Sequence, residues 1–146
     1  MSISSVTLAS NTINIEFNSI NGKIYHTKSL HKDIEKNDGF RPGKPKVILI
    51  ETLNCDSPSF IEQHKRLESI GHQNEEYELM FVSACLDRRY KHGYSISVKA
   101  ASRLNSEKKR FRVRILDSAG RVMHKSLKPI SSNTLADWIA DMDVRL

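Results

Sequence analysis

The chain has 146 residues, 38% of them hydrophobic, and carries 23 Lys and Arg against 17 Asp and Glu. That length suits one domain, and five Phe, four Tyr and one Trp beside many Ile, Leu and Val exclude wholesale disorder. No apolar run approaches the ~20 residues of a membrane span, and Met1 to Ser5 shows no signal-peptide pattern, so the expectation is a cytoplasmic or a mature periplasmic or secreted protein.

Ile13 to Phe17 alternates apolar with polar residues, and Asn21-Gly22 leads into Lys23-Ile24-Tyr25-His26, which predicts an N-terminal β-hairpin. Ser29 to Lys46, with Asp38-Gly39, Pro42 and Pro45, reads as a short helical turn and a loop. Residues 1–45 are thus a hairpin and connector, and 46–146 form the core. Lys46 to Glu51 is an apolar run without alternation, as expected of a strand covered on both faces. Asp56-Ser57-Pro58-Ser59 then supplies helix-start chemistry, with Ser59 and Glu62 spaced for a capping box. The helix is expected to run to Ser69, with Phe60, Ile61, His64, Leu67 and Ile70 inward and Gly71 as its stop. Leu79 to Ala84 gives a second apolar strand, completing a right-handed parallel βαβ unit.

Asp87 to Ser95 reads as a loop and Ile96 to Leu104 as a helix. Phe111 to Leu116 alternates, Asp117 to Gly120 turns, and Arg121 to Lys125 returns, predicting an antiparallel hairpin that makes the sheet mixed. Ser131 to Thr134 offers N-caps for a last helix in which Leu135, Trp138, Ile139 and Met142 share a face.

The charge is uneven. Thirteen Lys and Arg lie between Arg88 and Lys128, opposed there by Glu107 and Asp117, with Glu75, Glu76 and Glu78 upstream and Asp137, Asp141 and Asp143 downstream. In the strand that follows Lys108-Lys109-Arg110, alternation places Arg110, Arg112 and Arg114 on one face. With Arg88, Arg89 and Lys91 they make a candidate surface for an anionic partner, an acidic protein or nucleic acid. The alternative is a solvated sheet face. The six His show no ligand spacing with each other or with the two Cys, so no metal site and no cofactor are expected. Neither Gly-x-Ser-x-Gly nor a phosphate-cradling Gly-rich loop occurs.

The order of a βαβ unit, a further helix, a β-hairpin and a terminal helix, preceded by a hairpin, resembles the thioredoxin fold and its peroxiredoxin-like relatives. Asn21-Gly22-Lys23 and Gly43 to Ile50 are similar to that family's lead-in to its first core strand. Phe111 to Arg121 and Leu135 to Leu146 resemble the DUF4174 family of thioredoxin-like domains. The resemblance implies an α/β fold, thioredoxin-like, with a central mixed sheet, flanking helices and an N-terminal hairpin, and it places Cys55 where a nucleophilic cysteine would stand.

An active site of this type carries two thiols three positions apart at a helix N-terminus, which stabilises the thiolate. Here the motif is Cys55-Asp56-Ser57-Pro58: the second cysteine is absent, Asp56 opposes the thiolate charge, and Glu107 to Arg110 contains no proline where the family has a cis-proline. The sequence therefore favours a non-catalytic interaction module that uses its basic surface. The alternative is a thiol-dependent oxidoreductase, peroxiredoxin-like or redox-sensing, in which Cys55 pairs with Cys85 at the ends of adjacent strands and Pro58 shapes the helix start.

Overall fold

The computed structural model describes residues 11–73 and 79–145. In chain order these form β1 (Glu16–Asn18), β2 (Ile24–His26), α1 (Leu30–Asp38), β3 (Lys46–Thr52), α2 (Pro58–Gln73), β4 (Leu79–Cys85), β5 (Tyr94–Ser95), α3 (Val98–Leu104), β6 (Phe111–Leu116), β7 (Val122–Ser126) and α4 (Ser132–Arg145). The strands make one mixed sheet in the order β2-β1-β5-β4-β3-β6-β7. The acidic stretch Glu75 to Glu78 and the segment Met1 to Ser5 lie outside the described residues.

All seven residues of β3 are buried, as its unbroken apolar run requires. β4 pairs with it in parallel across the α2 connection, and β6 pairs antiparallel on its other side. Alternation then sorts the core into two layers. Ile48 and Ile50 of β3 and Val113 and Ile115 of β6 pack against Phe60 and Leu67 of α2 and Leu135 and Met142 of α4. Val47, Leu49, Met80, Val82 and Leu116 face the other way, toward Leu30 and Ile34 of α1, Ala101 of α3, and Phe17 and Tyr25 of the hairpin.

Several local expectations change. α1 is a nine-residue helix, closed by Gly39 in the left-handed conformation (φ 77°) with its N–H on Glu35 O. α2 begins at Pro58, but Ser57 precedes it as the cap position and Glu62 pairs with Arg66 (3.1 Å) in place of a box with Ser59. Gly71 does not end α2, which continues to Gln73. Ile61 is 45% exposed. Gln63 is buried in its stead because its side-chain amide donates to Ile130 O (2.9 Å) and accepts from Ile130 N (2.7 Å), tying α2 to the start of α4. Tyr94-Ser95, expected as loop, forms β5 between β4 and β1, and the rings of Phe17, Tyr25 and Tyr94 close over one another within 6 Å. Ser131 Oγ accepts the Thr134 N–H (3.1 Å), capping α4 as its sequence predicts.

Candidate functional site

Parallel pairing sets Thr52 opposite Cys85 at the ends of β3 and β4. From Thr52 the chain turns back through Leu53 and Asn54, and Cys55 meets Cys85 in a disulfide with Cα atoms 5.6 Å apart. The second sulfur that is absent from the Cys55-Asp56-Ser57-Pro58 motif is thus delivered by the neighbouring strand. The expectation of a module without dithiol chemistry is overturned by this bond.

The turn that carries Cys55 is held by polar groups. Thr52 Oγ1 contacts Ser57 Oγ (2.9 Å), Asn54 Oδ1 accepts the Asp56 N–H (2.7 Å), and Asp87 Oδ1 accepts the Cys55 N–H (3.1 Å). Arg88 spans the two loops, pairing with Asp87 (2.7 Å) and Asp56 (3.0 Å). The Asp56 charge expected to oppose a Cys55 thiolate is therefore partly offset by a guanidinium that Asp87 shares, and α2 begins three residues downstream of Cys55. Pro58, the first residue of α2, is exposed.

The two sulfurs differ in access: Cys55 is 6% exposed and Cys85 is not exposed at all. Cys55 also lines a cleft of about 610 Å³ walled by Phe60, Ile61, His64, Tyr90 and His92. The His64 ring stacks on Tyr90 (centroids 4.9 Å apart) and meets Phe60 edge-on (4.6 Å), while its Nε2 lies 3.0 Å from Ser83 Oγ. Burial pushes the His64 pKa down, favouring the neutral ring, and pushes the Tyr90 hydroxyl up.

The candidate basic residues separate into three groups. Arg88, Arg89 and Lys91 lie on the exposed loop after β4, where Arg89 contacts Asn18 (3.0 Å) and Ser95 (3.3 Å). Lys108, Lys109 and Arg110 precede β6, with Lys108 in the left-handed conformation (φ 54°). Arg110 O accepts from Thr52 Oγ1 (3.3 Å) and Leu53 N (3.4 Å), so this loop flanks the Cys55 turn on its other side. Arg112 and Arg114 do not form the expected open stripe. Arg112 is only 8% exposed and grips Glu51 through Nε and Nη2, each at 2.9 Å, while Nη2 also donates to Leu104 O at the end of α3 (3.3 Å). Arg114 Nε donates to the same carboxylate (2.9 Å), and burial lowers the Arg114 pKa. The alternation is as read, but α3 covers that face.

Glu51, wholly buried, was hidden in the sequence at the end of the apolar β3 run. Its signal is an acid closing a two-face-buried strand, answered by arginines two apart on β6. Among the described residues, Cys55, Cys85 and Asp87 bring three potential metal-ligand atoms within 4.8 Å of one another. No helix among them is long and apolar enough to cross a membrane.

No family model matches the chain, and no match is found among curated protein sequences. Among solved structures it is similar to a putative thiol:disulfide interchange protein DsbE from Chlorobium tepidum, with a TM-score of 0.60 at 11% identity, covering 90% of this chain and 94% of that one. The pneumococcal exposed lipoprotein thioredoxin Etrx1 of Streptococcus pneumoniae strain TIGR4 superposes with a TM-score of 0.58 at 9% identity, over 88% of this chain and 99% of that one. Copper-bound ScoI of Arabidopsis thaliana gives 0.54 at 10% identity, over 93% and 99%. The fold is thioredoxin-like. At such identities the likeness carries the architecture.

Proposed function

We propose that this thioredoxin-like chain is a thiol–disulfide oxidoreductase whose working pair is Cys55 and Cys85. The observation that carries the reading is a disulfide with one sulfur opening on a cleft and the other fully buried. Support also comes from neighbours described as thiol:disulfide interchange protein and thioredoxin. In the reduced protein the Cys55 thiolate attacks a substrate disulfide, forming a mixed disulfide and releasing one substrate sulfur as a thiolate that takes a proton. The Cys85 thiolate then attacks Cys55 Sγ, the second substrate sulfur leaves, and the Cys55–Cys85 bond is restored, with two electrons passed to the substrate. The α2 N-terminus and Arg88 favour the Cys55 thiolate.

The exposed basic groups on the loops beside Cys55 favour a partner thiol or disulfide carried on an acidic surface. Nucleic acid is the weaker partner, since Arg112 and Arg114 are turned inward. Kinship with DUF4174 rests on the Phe111–Arg121 and Leu135–Leu146 motifs, and the redox proposal does not depend on it.

The test equilibrates the protein in glutathione buffers and follows thiol content by alkylation and mass spectrometry. Cys85→Ser is expected to accumulate a mixed disulfide on Cys55, and Cys55→Ser to form none. A pair that fails to exchange with glutathione would end the proposal. Hydrogen peroxide added to the reduced protein separates the peroxiredoxin-like form: Cys55 sulfenic acid followed by loss of water to the Cys55–Cys85 bond marks a peroxidatic thiol.

A further inference from the structure

The reduced state sets a charge problem that the oxidised state lacks. Opening the bond leaves Cys85 with no solvent exposure beside Cys55 with almost none, so burial holds both sulfurs as neutral thiols unless a cation compensates the two thiolate charges. The Asp87 carboxylate stands within 4.8 Å of both sulfurs. It is already oriented, with Oδ1 on the Cys55 N–H (3.1 Å) and Oδ2 on the Arg88 guanidinium (2.7 Å), the kind of outer support that fixes a metal-binding carboxylate. Two thiolates and one carboxylate bring three negative charges, of which Arg88, itself shared with Asp56, offsets only a part.

We propose that the reduced protein binds one soft divalent cation, zinc in the first instance, through Cys55 Sγ, Cys85 Sγ and Asp87. Thiolate sulfur selects zinc over harder ions, and three protein ligands plus water complete its tetrahedral preference. A Cα separation of 5.6 Å lets both sulfurs reach one ion at the usual ~2.3 Å once the S–S bond is open. Binding exchanges two thiol protons for one dication. Oxidation by a disulfide such as oxidised glutathione reverses it: the two sulfurs join, two protons are taken up by the departing glutathione thiolates, and the ion is released. The site rests on the redox reading above, since it exists only in the reduced pair.

The experiment reduces the full chain with a phosphine, which becomes the phosphine oxide with oxygen from water, and removes the reagent without air. Cobalt(II) is then titrated in, followed by zinc. The expected result is one cobalt per chain with thiolate-to-cobalt absorption and tetrahedral visible bands, both abolished by zinc and by oxidised glutathione. Asp87→Asn keeps an oxygen for the Cys55 N–H and is expected to weaken cobalt binding about tenfold or more. Absence of thiolate–cobalt absorption, unchanged affinity in Asp87→Asn, or cobalt retained after the disulfide forms would each overturn the site. A chain that exchanges with glutathione yet takes up no cobalt loses this inference alone, whereas one that exchanges with neither loses the redox reading as well.

Discussion

The end of β3 carries two buried clusters, a covalent sulfur pair and an ionic one, on opposite sides of the sheet. On the α2 side stand Cys55 and Cys85, joined by a covalent bond. On the α3 side Glu51 is held by Arg112 and Arg114, with Glu107 reaching Arg112 at 3.5 Å. Both clusters tie neighbouring strands together, but they respond oppositely to being opened. The sulfur pair has two closed-shell states, disulfide and dithiol, and neither leaves a strong hydrogen-bonding group stranded. The ionic cluster has one, because removing Glu51 leaves two buried guanidinium groups without the carboxylate they share. On the redox reading proposed above, one side of the sheet would cycle while the other stays shut.

The contrast breaks most visibly at Glu51. Glu51→Ala strands two guanidinium groups under α3 and is expected to cost about 3–5 kcal/mol, read from urea unfolding; an unchanged midpoint would show that the cluster is not what closes this side. Reducing the disulfide comes next. It releases a constraint between residues 30 apart in sequence and should lower stability by about 3 kcal/mol in the same assay, with the fold retained. Should reduction unfold the domain at 25 °C, the α2 side is no switch.

A smaller effect sharpens the α2 side itself. Gln63→Ala leaves the Ile130 N–H and C=O without their partners and is expected to cost about 1–3 kcal/mol by thermal unfolding. His64 gives a pH signature with a definite sign. Its folded pKa lies below the ordinary ~6.5, so the unfolded chain binds the extra proton first, and stability, complete above that value, declines as pH falls below it. His64→Gln should flatten the decline between neutral and mildly acidic unfolding curves. The smallest change in stability is expected for Arg88→Ala, at the exposed Asp56 and Asp87 pairs, but there Cys55 should need a higher pH to alkylate.

The parts of this molecule legible in its residues are those whose pattern is local. Lys46 to Glu51 shows a doubly covered strand by lacking alternation, Phe111 to Lys125 shows a hairpin by alternation and a turn, and Ser131 caps α4 as its spacing says. Tyr94-Ser95 has no period to read in two residues, and its pairing with β4 and β1, residues distant in sequence, is what makes it a strand. The helix stop at Gly71 failed because glycine permits an ending without requiring one. At the site, strand order placed Cys55 and Cys85 at one end of the sheet, but the bond depends on how far the Asn54 turn folds back. The arginine stripe follows the alternation of β6, but its side chains turn onto a buried carboxylate. Its partner, Glu51, lies 61 residues from Arg112, and antiparallel register is what sets them face to face.

The clasp of Asp87 and Arg88 has a kinetic consequence. Leu86 N on Thr52 O, Asp87 on the Cys55 N–H and Arg88 on Asp56 all join the two loops independently of sulfur. When the disulfide opens, these contacts keep the thiols from drifting apart, so each sees the other at a high effective concentration. On the thiol–disulfide exchange proposed above, ring closure would then outrun capture of a second substrate molecule, the mixed disulfide on Cys55 would be short-lived, and the chain would release its partner instead of remaining attached to it.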